Sequence, residues 1–276
     1  MKVLIAQMSS YLGNTEKNLR KMIGIIEKAI ESKNELVIFP ELSLTGYLLE
    51  ELVYEVGIKK VPNELLELSK KISIIFGAVE YGEDFYTYNT AYYLEDGEVK
   101  YKHRKVYLPT YGMFSEGRYF KKGNKIQAFE TKFGKIGMLI CEDAWHQPSH
   151  YILSQDGAKY IFVLTCSPTR VSGETVTISD GWNAILQASA LCNNVYTIMA
   201  NRVGVEDGVT YWGGSAVFSP DGNRIKSGKY FEEEEIEINL PLSAVRRVRA
   251  LSPNAKDENN DLILREIKRV KYEKTN

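Results

Sequence analysis

The sequence predicts an α+β fold in which helix, sheet, sheet and helix form a four-layer α-β-β-α sandwich. The chain opens with a strand, helix, strand pattern, and it carries antiparallel hairpin signals at Asp96-Gly97 and Pro220-Asp221-Gly222. A second group of apolar strands alternates with helices beyond Gly134. Two mixed sheets that each carry helices on one face must cover their other faces against one another. We therefore expect two sheets to meet in the core of a single domain spanning residues 1–276.

The first half of the chain combines a strand-helix-strand unit with a hairpin. Apolar residues from Leu19 to Ile30 recur at helical spacing, and Asn14 precedes them as a residue typical of a helix N-cap. Alternation around Asp96-Gly97 indicates two paired strands. The predicted elements are strands at Lys2–Met8, Glu35–Phe39 and Ile74–Glu80, helices at Asn14–Ser32 and Pro62–Ile72, and hairpin strands within Tyr86–Lys105.

The second half predicts a further set of strands and helices, followed by a tail. The run Glu232–Asn239 is acidic, which is typical of a solvated edge strand. The segment of about 241–276 is a charged tail that includes Val245–Arg249. The predicted strands are Ile126–Phe129, Ile136–Ile140, Tyr160–Thr165, Val195–Ala200, Ser215–Phe218, Arg224–Ser227 and Glu232–Asn239, and the predicted helices are Pro148–Gln155 and Trp182–Leu191.

The composition is that of an ordinary globular protein that handles small molecules. Hydrophobic residues make up 44% and charged residues 26% of the chain, and the net charge is −1. This balance argues against a nucleic-acid or membrane partner. The amino terminus is too quickly polar for a signal peptide, so we expect a cytoplasmic protein. The three cysteines and three histidines have neither disulfide nor metal-ligand spacing, and we expect no cofactor and no metal.

Cys141 stands at the carboxyl end of a predicted buried strand, directly before Glu142 and Asp143. Catalytic groups on open α/β sheets gather at the carboxyl ends of strands. A thiol here is therefore a candidate nucleophile. Free cysteine is also among the most buried residue types, so a structural role stays open on this segment alone.

Glu41 and Lys105 likewise follow predicted strands at the point where a loop begins. A carboxylate directly after Val37-Ile-Phe-Pro40 risks desolvation, which raises its pKa toward the range useful to a general base; a helix cap or loop carboxylate is the alternative. Strand alternation places Lys105 on one face with Tyr101, His103 and Tyr107, although an ordinary solvated lysine remains open. For His103 we expect a structural role.

Together these segments resemble the Glu, Lys and Cys motifs of the nitrilase superfamily of carbon–nitrogen hydrolases. The matching stretches are Phe39–Tyr47, His103–Pro109 and Ile140–Trp145, and the likeness runs from Met1 to about Gly222. Within the superfamily, Leu108–Phe120 and Cys141-Glu-Asp-Ala-Trp145 are most similar to the glutaminase domain of glutamine-dependent NAD synthetases. The resemblance implies a nitrilase-like fold.

The resemblance also implies a role for individual residues. Glu41 corresponds to the general base, Lys105 to the cationic stabiliser, Cys141 to the nucleophile and Glu116 to a second glutamate that orients substrate or lysine. The positions that match the family's substrate pocket are Tyr47, Tyr111, Phe114, Glu142 and Trp145, with Ser167 and Arg170 matching approximately.

The expected reaction is hydrolysis of a small carboxamide, such as a glutamine-like substrate, through a thioester on Cys141. We expect Glu142 and Asp143 to raise the pKa of the thiol, so that attack needs Lys105 nearby and proton removal by Glu41. Lys105 and the backbone N–H after Cys141 are expected to hold the oxyanion. Nitrile or N-carbamoyl amide hydrolysis with the same residues is the alternative, and a fold that has lost its activity is a third hypothesis.

Two partners follow from the resemblance. No Gly-rich pyrophosphate-binding loop is found in the sequence, so we expect either a free-standing amidase or a glutaminase that supplies ammonia to a separate ammonia-consuming enzyme. Superfamily subunits usually pair through their helix faces. We therefore expect a homodimer or larger homo-oligomer, with the tail beyond Leu240 reaching over the neighbouring subunit.

Overall fold

In the computed structural model of the chain, residues 1–169, 171–172 and 175–273 are described. The strands are β1 Lys2–Gln7, β2 Leu36–Ile38, β3 Ser73–Tyr81, β4 Thr87–Glu95, β5 Glu98–Arg104, β6 Ile136–Ile140, β7 Tyr160–Thr165, β8 Val171–Ser172, β9 Thr175–Val176, β10 Tyr196–Asn201, β11 Val203–Glu206, β12 Val209–Trp212, β13 Ala216–Phe218, β14 Arg224–Ser227 and β15 Glu234–Asn239. The helices are α1 Thr15–Glu31, α2 Val53–Val56, α3 Asn63–Ser69, α4 Glu116–Tyr119, α5 Glu142–Trp145, α6 Gln147–Gln155, α7 Thr177–Asn193, α8 Leu242–Leu251, α9 Asn254–Asp257 and α10 Asn260–Glu273, with a short 3₁₀ turn at Glu50–Leu52.

Two mixed sheets carry most of these strands. The larger has six strands in the order β15-β1-β2-β3-β4-β5, and the smaller has five in the order β14-β13-β10-β7-β6. In the larger sheet β1, β2 and β3 are parallel, whereas β4 is antiparallel to both β3 and β5. The strands β2 and β5 therefore run in the same direction and end at the same edge of the sheet. In the smaller sheet β6, β7 and β10 are parallel.

The larger sheet is buried on both faces by alternating residues. Leu4 of β1 packs outward in a cluster with Met22 and Ile26 of α1 and with Leu65 of α3. Ile5, the next residue of the strand, lies in the inner cluster between the sheets. This period of two is what a strand covered on both faces requires. Each such buried aliphatic side chain stabilises the fold by roughly 1.5–3 kcal/mol.

The inner cluster joins the two sheets face to face. Ile38 and Ile75 of the larger sheet belong to the same buried cluster as Ile140 and Met199 of the smaller one. Leu153 of α6 and Leu186 of α7, in the same cluster, cover the other side of the smaller sheet. The chain is thus an α+β sandwich with two mixed sheets inside and helices outside, as predicted.

Most of the predicted elements are present, with ends that shift by a few residues. The expected strand at Ile126–Phe129 is wrong, because only Phe129 makes a bridge, to Ile136. The helix expected to begin at Trp182 begins at Thr177. The hairpin of β11 and β12 was not predicted, although Asp207-Gly208 at its turn is the same signal as Asp96-Gly97.

The described part of the tail, residues 241–273, contains three helices. Val245 of α8 is buried in the inner cluster, and Arg249 donates to the carbonyl oxygens of Ala158 and Asn194. Helix α10 instead exposes apolar residues, which are Leu262, Leu264, Ile267, Val270 and Tyr272. Among the described residues, no helix combines the length and the apolarity that crossing a membrane requires.

Candidate active site

Three side chains from separate strand ends meet where the two sheets come together. Glu41 follows β2 by three residues, Lys105 directly follows β5, and Cys141 directly follows β6. Glu41 is 1% exposed, Lys105 0% and Cys141 8%. The pairing of the strands explains why residues this far apart in sequence meet, since β2 and β5 end at one edge of the larger sheet.

Three donors hold the carboxylate of Glu41. Its Oε1 accepts hydrogen bonds from Lys105 Nζ at 2.8 Å and from Asn89 Nδ2 at 2.7 Å. Its Oε2 accepts one from the backbone N–H of Cys166 at 2.9 Å. The thiol of Cys166 donates to the backbone carbonyl oxygen of Glu41 at 3.0 Å. The position and the orientation of this carboxylate are therefore both fixed.

Lys105 bridges two carboxylates. Besides Glu41, its Nζ donates to Oε1 of Glu116 at 2.7 Å, and that oxygen also accepts from the hydroxyl of Tyr47 at 2.5 Å. Burial alone lowers the pKa of Lys105, but the charges of Glu116 and Glu41 outweigh it and hold the pKa well above its usual value. The lysine is therefore a buried cation at neutral pH.

Glu116 is a weaker acid than an ordinary glutamate, because it is buried and close to Glu41. Burial raises the pKa of Glu116 to about 7, with Lys105 opposing the rise and Glu41 adding to it. Its Oε2 is buried and has no hydrogen-bond partner among the described residues. Glu116 therefore has one acceptor oxygen that none of the described residues engages.

The backbone of Cys141 is strained. Its φ is 45° and its ψ is −101°, a conformation that a residue with a side chain rarely adopts, and it forms the sharp turn between β6 and α5. Such strain persists only where the surroundings impose it, and it is concentrated at functional sites. The first N–H groups of a helix have no partner within it, so the N–H of Glu142, the first residue of α5, is available beside the thiol.

Burial raises the pKa of the Cys141 thiol well above its usual value, and the charge of Glu41 raises it further, while Lys105 lowers it. The side chain is therefore a neutral thiol at neutral pH. Glu142 and Asp143 were expected to cause this rise. The main causes are instead burial and Glu41, which lies far away in sequence.

The carboxylate of Asp143 fixes the turn after Cys141. Its Oδ1 accepts from the backbone N–H groups of Val106 and Tyr107 at 2.9 Å each, and its Oδ2 accepts from the N–H of Ile140 at 3.1 Å. His103 Nε2 lies 2.8 Å from the same Oδ2. Asp143 thus ties the turn after Cys141 to the segment after Lys105, and His103 contacts the same carboxylate.

Four of the predicted pocket residues form one wall beside these groups. The ring of Phe114 makes edge contacts with Tyr47, at 6.5 Å between ring centroids, and with Tyr111, at 5.7 Å. The hydroxyl of Tyr111 donates to Glu142 Oε2 at 2.8 Å. The side chain of Glu142 is 16% exposed, so a carboxylate lies at the solvent side of the site.

The remaining predicted pocket residues lie on the side of α7. Trp145 is 39% exposed and packs edge-on against Trp182, whose Nε1 donates to the hydroxyl oxygen of Ser167 at 2.9 Å. The backbone N–H of Ser167 donates to the side-chain oxygen of Asn201 at 3.0 Å. Arg170, predicted to grip the substrate, lies outside the described residues.

Three contributors to the site were not predicted from the sequence. Asn89 and the N–H of Cys166 bind Glu41, and Asp143 binds the N–H of Val106. These three contacts join residues separated by 37 to 125 positions. For Asn89 a sequence signal was available, because a polar amide on the inward face of a strand must find a partner.

Two grooves on the described surface are not lined by Glu41, Lys105 or Cys141. One of them, about 1030 Å³, lies on the outer face of β4 and β5 and is lined by exposed cations such as Lys60 and Lys125. A smaller groove of about 570 Å³ lies near the pocket wall, between Met113, Thr169 and Thr210. The site is recognised by its buried charges.

The chain is similar in sequence to a family of hydrolases and to longer proteins that are similar to it over part of their length. The sequence model of the family described as "Carbon-nitrogen hydrolase" matches residues 2–250. The glutamine-dependent NAD(+) synthetase of Thermotoga maritima is 33% identical over 92% of this chain and 44% of its own length. This chain thus spans less than half the length of the NAD(+) synthetases that it matches.

Other similar proteins have nearly the same length as this chain. A probable nitrilase of Schizosaccharomyces pombe is 30% identical over 90% of this chain and 92% of its own length. The crystal structure of Saccharomyces cerevisiae Nit3, a member of branch 10 of the nitrilase superfamily, superposes with a TM-score of 0.80 and 25% identity, covering 92% of this chain and 94% of that one.

Proposed function

The chain belongs to the carbon–nitrogen hydrolase family, and from this premise we propose that it hydrolyses a small carboxamide through a thioester on Cys141, releasing ammonia. The single observation that carries the proposal is the buried cluster in which Lys105 joins Glu41 to Glu116, next to a thiol on a strained turn. Two buried carboxylates sharing one lysine have no evident structural purpose at a strand end. They suit a reaction that needs a base, a cation and a nucleophile together.

The first step is attack by sulfur on the amide carbonyl carbon. Because the pKa of Cys141 is raised, the thiol must lose its proton as the sulfur–carbon bond forms. Glu41 is the base in this proposal, since it is buried beside the thiol and its charge acts on the thiol pKa. The S–H bond breaks, its electron pair forms the bond to carbon, and the proton moves to the Glu41 carboxylate.

The developing negative charge on the carbonyl oxygen needs donors. An ammonium has three N–H bonds, and in the described contacts Lys105 uses two of them on Glu41 and Glu116. The third is available for the substrate oxygen, together with the backbone N–H of Glu142. Each donor in such a site lowers the barrier by roughly 3 kcal/mol.

Collapse of the tetrahedral intermediate completes acylation. The carbon–nitrogen bond breaks, and the nitrogen leaves as ammonia after taking the proton from Glu41. The carboxylate then removes a proton from water as the water oxygen attacks the thioester, and it returns that proton to the sulfur as the carbon–sulfur bond breaks, which releases the acid and restores the thiol. One residue thus serves in turn as base, acid, base and acid, and the described geometry requires no histidine for the chemistry.

The pocket favours an amide that carries an ammonium group, such as glutamine. Glu142 places a partly exposed carboxylate at the solvent side of the site, where Tyr111 orients it. A carboxylate in this position stabilises a positively charged substrate group by charge-assisted hydrogen bonding. The 33% identity to a glutamine-dependent NAD(+) synthetase supports the same substrate class, in which case a separate enzyme would consume the ammonia.

The proposal is tested by measuring ammonia release from a panel of amides, nitriles and N-carbamoyl compounds. We expect carboxamides to be hydrolysed and glutamine to be among the best of them. Glu142→Gln should then reduce kcat/KM for glutamine more than for an uncharged amide of similar size. Hydrolysis of nitriles or carbamoyl compounds with no activity toward amides would replace the proposed substrate class with the alternative.

A further inference from the structure

The hydrogen bonds of Glu41 differ between its two oxygens, and the difference bears on the proton transfer described above. A carboxylate oxygen has two lone-pair positions for hydrogen bonds. Oε1 fills both, with Lys105 Nζ and Asn89 Nδ2. Oε2 fills one, with the N–H of Cys166. In the described contacts, the second lone-pair position of Oε2 accepts no hydrogen bond.

We infer that Asn89 is a positioning residue that occupies Oε1 of Glu41, so that the Cys141 proton is taken by Oε2. This inference rests on the proposed function and adds to it the oxygen that acts and the residue that selects it. In this step the S–H bond of Cys141 breaks, its electron pair goes to the new sulfur–carbon bond, and the proton forms an O–H bond at Oε2.

The placement of Asn89 suits this task. It lies on β4 and is 1% exposed, and its backbone carbonyl oxygen accepts a hydrogen bond from the N–H of Lys105 at 2.9 Å. One residue therefore holds the backbone of Lys105 and the carboxylate of Glu41 together. Its side-chain oxygen is buried and has no hydrogen-bond partner among the described residues. Leaving such an acceptor unsatisfied costs stability, which a purely structural residue would avoid.

Only the NH₂ group of Asn89 can face the carboxylate, because two acceptors repel. The bond to Glu41 therefore fixes which way the amide points. Lys105 alone could not hold the carboxylate in this way, since its ammonium is shared with Glu116. Without Asn89, Oε1 would regain a free lone-pair position and the carboxylate could rotate.

The test compares Asn89→Ala and Asn89→Asp with the wild type. Two pH profiles are measured, kcat/KM for a carboxamide and the rate of alkylation of Cys141 by iodoacetamide, followed by peptide mass spectrometry. The acid limb of each profile reports protonation of the base. Asn89→Ala should lower kcat/KM roughly 10- to 100-fold, the size expected for loss of one hydrogen bond to a charged group.

The pH dependence separates positioning from a structural role. Loss of a donor to the carboxylate should move the acid limb up by about one pH unit in Asn89→Ala. Asn89→Asp has the same size but puts a second carboxylate against Glu41, and it should move the limb further. Thr90→Val is the matched control, because Thr90 bonds Glu80 on the opposite face of the same strand. It should lower the melting temperature and leave both acid limbs in place.

The alkylation profile does not depend on turnover. If the wild type hydrolyses no amide, the proposed function fails, whereas a shifted acid limb in alkylation still supports the role of Asn89. Acid limbs at the wild-type pH in both Asn89 variants overturn the inference, even if kcat falls, because they leave Asn89 with a structural role only.

Discussion

At neutral pH the Cys141 side chain is a neutral thiol, and the two charged residues near it have opposite effects on its pKa. Burial and Glu41 raise its pKa, and Lys105 lowers it. The site therefore does not store a reactive thiolate. In the proposed mechanism the nucleophile is generated only when Glu41 accepts the proton, which protects the thiol between turnovers.

Removing the charge of Lys105 and removing the charge of Glu41 should have different effects on the pH profile of Cys141 alkylation. Lys105→Met deletes the cation that lowers the thiol pKa, so the alkaline part of the alkylation profile should move to higher pH. Glu41→Gln deletes a negative neighbour, so it should leave that part unchanged or lower it, and it should slow turnover by at least roughly 10²–10⁴-fold. The measurement is the iodoacetamide rate at Cys141 as a function of pH.

The exposed Cys192 needs a control in this experiment, because it should react with iodoacetamide without loss of activity. All variants are therefore made in a Cys192→Ala background, which should have wild-type turnover. Cys166 is buried with its thiol pKa raised and should remain unmodified. An unshifted profile in Lys105→Met would remove that lysine from the neighbourhood of the thiol.

Glu116 should make the stability of the protein depend on pH in an unusual direction. Its pKa rises from 4.5 to about 7 on folding, so between these values the folded state binds more protons than the unfolded state. Stability contributed by this group is therefore lost as the pH rises from about 4.5 to 7.

Glu116→Gln removes this titration. The melting temperature of the variant relative to wild type should therefore increase between pH 5 and pH 8, as measured by calorimetry or fluorescence. A difference between the two proteins that stays constant over this range would contradict the raised pKa.

Among the helices and strands, sequence reasoning worked best where periodicity was strong. Helix α1 was predicted because its apolar residues recur at helical spacing, and the hairpin of β4 and β5 was predicted because the pattern alternates around Asp96-Gly97. The strand predicted at Ile126–Phe129 failed because four apolar-rich residues do not show whether a neighbouring strand is available to pair. An inward-facing Asn89 signals that it needs a partner, but the identity of that partner, like the contacts of Asp143, could not be predicted, because it depends on which distant loops the two sheets bring together.

Gly77 shows how one element positions another. It lies within β3, where glycine is normally unfavourable. A Cβ there would overlap the backbone nitrogen of Leu42 and lie 3.0 Å from the carbonyl carbon of Glu41. The missing side chain is what allows the loop carrying Glu41 to pack directly on the sheet.

Gly77→Ala should therefore displace Glu41 and reduce kcat by roughly 100-fold, since small misplacements of a catalytic group have effects of this size. Gly24→Ala, in helix α1, meets no atom within 4 Å and is the control. It should leave activity unchanged and stabilise the protein by roughly 0.5–1 kcal/mol. Steady-state kinetics and thermal melts of both variants check this, and wild-type kcat in Gly77→Ala would show that the loop can move without harm.

For the molecule as a whole, the four-layer sandwich could be predicted from the way in which strands and helices follow one another along the chain. Each sheet has helices on one face only, so the other faces had to meet. The arrangement of subunits could not be predicted in the same way, because the sequence alone does not show which outer surface a second subunit covers. The structure places α8 on its own chain and leaves the apolar residues of α10 exposed.

We predict that the protein is at least a dimer and that α10 contributes to the contact. Light scattering should give twice the chain mass of 31.4 kDa or more at working concentration. A chain ending at Pro253 should shift toward the monomer, because it lacks α10 but keeps α8. A full-length protein that scatters as a monomer would contradict the prediction.

The proposed mechanism depends above all on Cys141 carrying the acyl group during hydrolysis of a carboxamide. The direct measurement is rapid acid quenching of the enzyme during turnover, followed by mass spectrometry of its peptides. We expect the acyl group of the substrate on the Cys141 peptide of the wild type, with ammonia released in step with its formation, and neither in Cys141→Ala. Continued ammonia release by Cys141→Ala, or turnover by the wild type with the Cys141 peptide always unmodified, would show that the mechanism is wrong.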